Sequence, residues 1–457
     1  MESTPSQPRR ATVVELECVA QQYDWGKVGA ASLVYRLLQR ARAKRSGSHD
    51  DHTTPDTSPY SELWMGTHPS GPSRVRVGDD GDDASAPTLS KYLGEATGTA
   101  DQQLPFLFKV LSIAKPLSIQ AHPDKKLAEE LHANQPTIYR DPNHKPELAC
   151  ALTPFEALCG FRPMSEIQLH VREVPELASL LPHDLVQEIE LLDESATQDA
   201  QGTLSRLLHA ILSIDNERLQ ASIASFVARV ERCSEAQHTQ PLSIEAQRLS
   251  ARLNHFFEGD VGVFVALLLN HVTLEPGQAI FLGPNVPHAY ISGDCIEAMA
   301  CSDNVVRAGL TPKLKDADTL CRMLSFTANV PRVLTGERMP QSDTDTSSDS
   351  GSGQAFLYAP GFDEFSVLRV EVPPASSYSL PRSSSPSIVL VVACGEHCTT
   401  ATASLADDTR EQSLAVFAGQ TWFVPAGARI QVANRHATEA VELYACSTGN
   451  GYTSGSV

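Results

Sequence analysis

Three short stretches concentrate side chains able to bind a metal, move a proton and hold an anion. The first is K-P-L-S-I-Q-A-H-P-D, Lys115 to Asp124. Leu117 and Ile119 alternate with Ser118, Gln120 and His122, so an extended strand here turns apolar side chains one way and three polar ones the other. The second is Y-R-D-P-N-H-K-P-E, Tyr139 to Glu147. Its prolines favour extended backbone, and i, i+2 spacing puts Lys145 and Glu147 on one side. The third, P-H-A-Y-I-S-G-D-C-I-E-A-M-A-C-S-D-N-V-V-R-A-G-L-T-P-K, runs from Pro287 to Lys313 and adds His288, Glu297, Asp303 and Arg307.

Taken singly, these residues have ordinary explanations, since a lone histidine or glutamine is most often a hydrogen-bonded structural residue. Taken together, Gln120, His122, Glu147 and His288 make a ligand set suited to zinc with a position left for water or substrate. Spacing joins Gln120 to His122; bringing Glu147 and His288 to them requires a fold. Arg307 and Lys145 have the chemistry to hold an anion, or to form surface ion pairs. Glu297 and Asp303 lie among small uncharged residues, where carboxylates could move protons or orient the histidines. Trp25 reads as core or pocket wall.

The elements that position these residues follow from pattern and composition. A first strand is expected before Y-D-W-G (Tyr23 to Gly26), then a helix over Ala31 to Arg42. A helix is expected from Asp124 to Leu131, and leucine-rich helical sequence from 164 to 269, where Leu204, Leu207, Leu208, Ile211 and Leu212 fit one helix face. Strands resume with T-L-E-P-G-Q-A-I-F-L-G-P, and the last hundred residues alternate short β runs with Pro/Gly/Ser turns. G-Q-x-x-F at Gly277 to Phe281 recurs at Gly419 to Phe423, pointing to two related β-barrels of which only the first kept a metal ligand. Mobile insertions are expected near 45–59 and 78–86, and a disordered linker over 338–355. The division expected is 1–163 and 270–337 for the first β domain, 164–269 helical, and 356–457 a second β domain.

The 457 residues allow several self-sufficient domains. Ten scattered cysteines with no C-x-x-C pair fit a reducing compartment, read as the cytosol. No apolar run is long enough to span a bilayer. A formal net charge of −19 opposes nucleic-acid binding, so an anionic ligand needs a local positive field.

Through Y-D-W-G, E-L-W-M-G-T-H-P, F-K-V-L-S-I-A-K-P-L-S-I-Q-A-H-P-D-K, Y-R-D-P-N-H-K-P-E and the long stretch from His288 to Lys313, nearly the whole chain resembles the type I phosphomannose isomerases. The resemblance implies a mainly β fold of two cupin (jelly-roll) barrels with a helical domain inserted in the first. It implies one Zn²⁺ per chain on Gln120, His122, Glu147 and His288, and an active-site arginine at Arg307. The implied reaction interconverts mannose 6-phosphate and fructose 6-phosphate through an enediol, feeding GDP-mannose formation and mannose catabolism. Lys145, Glu297 and Asp303 are candidates for acid/base work, with Glu297 and Lys145 favoured; His144 or His68 are candidates for ring opening. Phosphate recognition falls to Arg307 with Ser118, Lys109 and Lys313, and Trp25 and His68 complete the substrate site. The expected partner is a sugar phosphate, with no nucleic acid or membrane, and the chain is expected to act as a monomer. Two competing readings remain: a non-haem iron oxygenase, because His122, Glu147 and His288 alone satisfy a two-His-one-carboxylate triad, and a non-catalytic sugar-binding cupin. Gln120 and the cations oppose the first; the presence of Lys145, Glu297 and Arg307 opposes the second.

Overall fold

The computed structural model describes residues 11–46, 56–76, 86–192, 197–235, 242–340, 353–395, 399–405 and 411–452. The chain is mainly β, with a helical insertion and two cupin-like β units. A ten-stranded sheet system carries the candidate site. Its spine is the long His288–Ala300 strand, which pairs with Phe106–Ile113, Glu147–Ala151, Phe155–Phe161 and Ile119–Ala121. An eight-stranded sheet and a four-stranded sheet hold the C-terminal residues. The N-terminal strand Val14–Glu17 enters that eight-stranded sheet beside Thr421–Val424, although the sequence reading groups it with residues 1–163. The two β units share an apolar core in which Phe106, Phe108, Leu148 and Ile296 meet Phe365, Ile388, Phe423 and Tyr444.

The short sequence echo corresponds to a repeated turn. Gly277 and Gly419 both adopt positive φ, +83° and +93°, which side-chain-bearing residues disfavour. Gly277 N–H donates to the Ala151 carbonyl and Ala151 N–H to that of Gln278; Gly419 N–H donates to Val391 and Val391 N–H to Gln420, in the same pattern. Each turn launches a strand, Ala279–Leu282 or Thr421–Val424.

Helices Met164–Glu173, His183–Leu191, Thr197–Leu212, Asn216–Glu235 and Ile244–Asn254 follow the first β segment. Leu204, Leu207, Leu208 and Ile211 are buried in one cluster with Ile119, Ala121, Val306 and Ala308. The helical insertion therefore packs against the back of the strands that bear Gln120 and Arg307. The helix after the first motif runs Lys125–Asn134 and is capped by Asp124, whose carboxylate accepts from Leu127 N–H. Of the expected insertions, 47–55 and 78–85 lie outside the described residues, and so does 341–352 of the linker. The described ends of these segments are ordered: a helix runs to Ser46, Pro59–Tyr60 pairs with Lys27–Val28, and Glu337–Arg338 pairs with Gln354–Tyr358. Short polar strands such as these escape a composition argument because their order comes from pairing partners far along the chain.

One carboxylate joins the helical insertion to the barrel. Glu156 accepts from Arg252 (2.7 Å), His271 (3.0 Å) and Ser292 (2.9 Å). The His271 bond, with Arg252 and Ser292 and against the opposing effect of burial, lowers its pKa from 4.5 to about 2. A depressed carboxyl stabilises the fold above its unfolded pKa and loses that contribution as pH falls through the folded value. Glu156→Gln is therefore expected to cost about 1–2 kcal/mol at neutral pH, given the half-exposed Arg252, and progressively less between pH 4.5 and about 2. Urea denaturation across that range measures it; a cost independent of pH would exclude the linkage.

Candidate active site

The three stretches meet around one cavity of about 590 Å³, a volume suited to a small ligand. His122 follows the Ile119–Ala121 strand, Glu147 opens Glu147–Ala151 and His288 opens His288–Ala300; all three are buried. Their donor atoms lie within 4.8 Å of one another. His122 Nδ1 stands 2.7 Å from the Asn304 carbonyl and His288 Nδ1 2.9 Å from that of Val286. A carbonyl can only accept, so each Nδ1 carries the proton and each Nε2 presents a lone pair. Those two Nε2 atoms sit 3.3 Å from the Glu147 carboxylate, and both, with Glu147 Oε2, have no hydrogen-bond partner. Converging buried lone pairs repel unless a cation lies among them, so this donor set fits a metal ion. Burial first, then the Lys145 charge, lowers the His122 pKa to about 4 and keeps the imidazole neutral. Burial opposes ionisation of Glu147, but Lys145 Nζ at 2.9 Å and the imidazoles outweigh it and hold the carboxyl well below the usual range.

Gln120 lies on the cavity wall, in register with His288 on one side and Arg307 on the other. Arg307, in the strand Val306–Gly309, also faces the cavity and is half-buried. Burial works against its charge and lowers its pKa, and among the described residues no carboxylate pairs with it.

A second charged cluster occupies another part of the wall. Lys109 Nζ lies 2.9 Å from Glu297 and 3.4 Å from Glu62, and over the Trp64 ring. Burial works against the Lys109 charge, but Glu297 and Glu62 outweigh it and hold the ammonium above the ordinary lysine range. Burial raises the Glu297 pKa, with Lys109 opposing. Glu297 reaches the cavity although it is an odd number of residues from His288, which strict strand alternation would forbid. The register against Phe155–Phe161 shifts between Tyr290 and Ser292, which breaks the alternation; Gly293 follows with a φ of +114° that other residues reach only at a cost, and a Cβ there would meet the Pro154 carbonyl oxygen at 2.6 Å.

Of the remaining candidates, Asp303, Trp25, Lys145 and Lys313 line the cavity. His68 is buried behind Trp64, edge-on at 5.1 Å, and 3.8 Å from Asp303. Ser118 is half-buried and does not line the cavity. His144 turns away, with Nε2 2.6 Å from Glu364 of the C-terminal unit.

Sequence reasoning missed several wall residues. Tyr290 is fully buried with an unpartnered hydroxyl; burial, then Glu297 and Glu147, raise its pKa well above that of a free tyrosine, so it stays a donor. Its position two residues beyond His288 on the same strand face was legible. Glu62 opens the E-L-W-M-G motif, and Trp64 Nε1 donates to it at 2.5 Å. Arg140, Ile138 and Leu314 at the cavity wall carried no comparable signal.

A two-histidine, one-carboxylate donor set in a cupin-like β unit, beside a half-buried guanidinium, defines a metal-binding cupin. The catalytic-domain model of the type I phosphomannose isomerases matches residues 13–164, and that of their helical insertion domain matches 180–269. A mannose-6-phosphate isomerase of Arabidopsis thaliana is 38% identical over 84% of each chain. The human mannose-6-phosphate isomerase is 39% identical, covering 83% of this chain and 87% of its own. A solved mannose 6-phosphate isomerase bound with zinc and yttrium is 27% identical, covers 96% of this chain and 100% of its own, and superposes with a TM-score of 0.68. The chain belongs to the type I phosphomannose isomerase family.

Proposed function

We propose that the chain interconverts mannose 6-phosphate and fructose 6-phosphate, with one zinc ion held by Gln120, His122, Glu147 and His288. The observation that carries this reading is that the donor set reaches, through Glu147, the same cavity that Arg307 faces, with no carboxylate among the described residues paired to that guanidinium. The family relationship supports both the substrate and the metal.

A zinc ion at this position supplies a Lewis acid for negative charge developing on the O1/O2 edge of the sugar. Glu297 is assigned the proton transfer between C2 and C1, because burial makes it a stronger base than an exposed carboxylate. Lys145, anchored on Glu147, works beside it. Lys109, engaged by two carboxylates, is assigned to holding Glu297 in place, in preference to the phosphate contact expected from sequence. Asp303 with His68 is assigned to ring opening, since their contact brings an acid and a base to the cavity rim; His144 is committed elsewhere. Arg307, with Lys313 near it, receives the phosphate, and Trp25 forms part of the sugar's wall. Ser118 is left out of this assignment. The chain acts as a monomer in the cytosol in this reading. No helix among the described residues is long and apolar enough to cross a membrane.

The test is a coupled assay of fructose 6-phosphate formation from mannose 6-phosphate. Activity is expected to disappear after exhaustive chelation, to return with zinc, and to saturate at about one ion per chain. A fully active preparation without stoichiometric metal overturns the metal reading, and a zinc-loaded protein inert towards mannose 6-phosphate overturns the substrate.

A further inference from the structure

We infer that Asp141 is a positioning residue for the metal centre, acting on His122 through the Asn304 carbonyl. Its carboxylate ties together two irregular segments, the 140–146 loop and the 301–305 loop. One oxygen accepts from Asn143 N–H at 3.0 Å and from the Ser302 hydroxyl at 2.8 Å; the other accepts from Asp303 N–H at 2.8 Å. The Asn304 side-chain amide returns the link, donating to the Asp141 carbonyl at 2.6 Å and the Asn143 carbonyl at 3.0 Å. Asn143 closes it by donating to the Cys301 carbonyl at 2.9 Å. Strand pairing ends at Met299 and Glu147 and the last backbone bond is Ala300 N–H to the Pro146 carbonyl at 3.2 Å, so beyond that point side-chain bonds hold the two segments together.

The network ends on a metal-type ligand. Asn304 is 1% exposed, and its carbonyl accepts the Nδ1 proton of His122, itself fully buried. That bond fixes the tautomer and the rotation of the ring, and therefore where the Nε2 lone pair points. Without the Asp141 carboxylate, the Asp303 N–H loses its acceptor and the Ser302 hydroxyl keeps only the Asn143 carbonyl at 3.0 Å, so the Asn304 carbonyl is free to drift from the imidazole. The ring can then turn, and the donor set loses its convergence. The inference rests on the metal reading of His122, Glu147 and His288 but not on the identity of the sugar.

The experiment measures zinc affinity by competition with a chromophoric chelator, together with the d–d spectrum of the cobalt-substituted protein and the thermal midpoint of the metal-free form. Asp141→Ala is expected to bind zinc about 10–100-fold more weakly and to shift the cobalt spectrum. Asp141→Asn is expected to fall between, because its amide oxygen still accepts while its NH₂ faces a donor. Ser302→Ala, which removes one of the bonds to the Asp141 carboxylate together with the hydroxyl's contacts to the Asn143 carbonyl and Asn304 N–H, should give a loss of the same sign and serves if the alanine variant at 141 does not fold. Wild-type affinity and an unaltered cobalt spectrum in the folded variants overturn the inference, leaving Asp141 a loop tie only. Failure of the unmodified protein to bind zinc overturns the metal reading instead.

Discussion

Glu147→Gln is expected to empty the metal site and abolish most activity. Glu147 supplies the only anionic oxygen in the proposed ligand set and lies at the centre of it, 3.3 Å from both imidazoles. Glutamine has nearly the same shape, so the substitution removes charge and leaves volume alone. It also strands the partly buried Lys145 ammonium, whose Nζ stands 2.9 Å from the carboxylate. Removing one member of a buried charge pair costs about 3–5 kcal/mol, and here the charge lost is also the attraction for the cation. Zinc content after dialysis should fall well below stoichiometric, and kcat/KM should fall with it by a factor of about 10²–10⁴, as that energy implies. Zinc retained at the wild-type level would mean that a different carboxylate holds the metal.

Arg307→Ala is expected to lower kcat/KM for mannose 6-phosphate by roughly 2–5 kcal/mol while leaving zinc content and thermal midpoint close to wild type. The chain carries a formal net charge of −19, so its overall field repels a sugar phosphate, and recognition depends on a few close cations. Arg307 has no carboxylate partner among the described residues and faces the cavity, so its guanidinium fork is available to a phosphate. Its backbone pairs with Gln120 through the strand, a contact that alanine preserves. Arg307→Lys should recover part of the loss, since it keeps the charge without the planar fork. An alanine variant that loses zinc or unfolds would make Arg307 a structural neighbour of the metal residues and refute the phosphate assignment.

The sequence by itself determined the ingredients and much of the architecture. Gln120 with His122, and Lys145 with Glu147, were legible because each pair is held in register by local extended backbone. The helical insertion was legible from the spacing of Leu204, Leu207, Leu208 and Ile211, which one buried helix face explains. Even the recurrence of Gly277 and Gly419 was readable, because only glycine suits both turns. Tertiary structure decided which charges are spent on one another. Lys109 reads from sequence as a free cation, yet strand register sets it opposite Glu297 and beside Glu62. His144 reads as a catalytic candidate, yet a carboxylate 220 residues away takes it. Glu297 faces the cavity because the register of its strand shifts between Tyr290 and Ser292, just before Gly293, and no periodicity rule reveals where such a break falls. Local pattern fixes which face a side chain leaves the backbone from; the partner it meets there is set by long-range pairing, and long-range pairing depends on the whole chain.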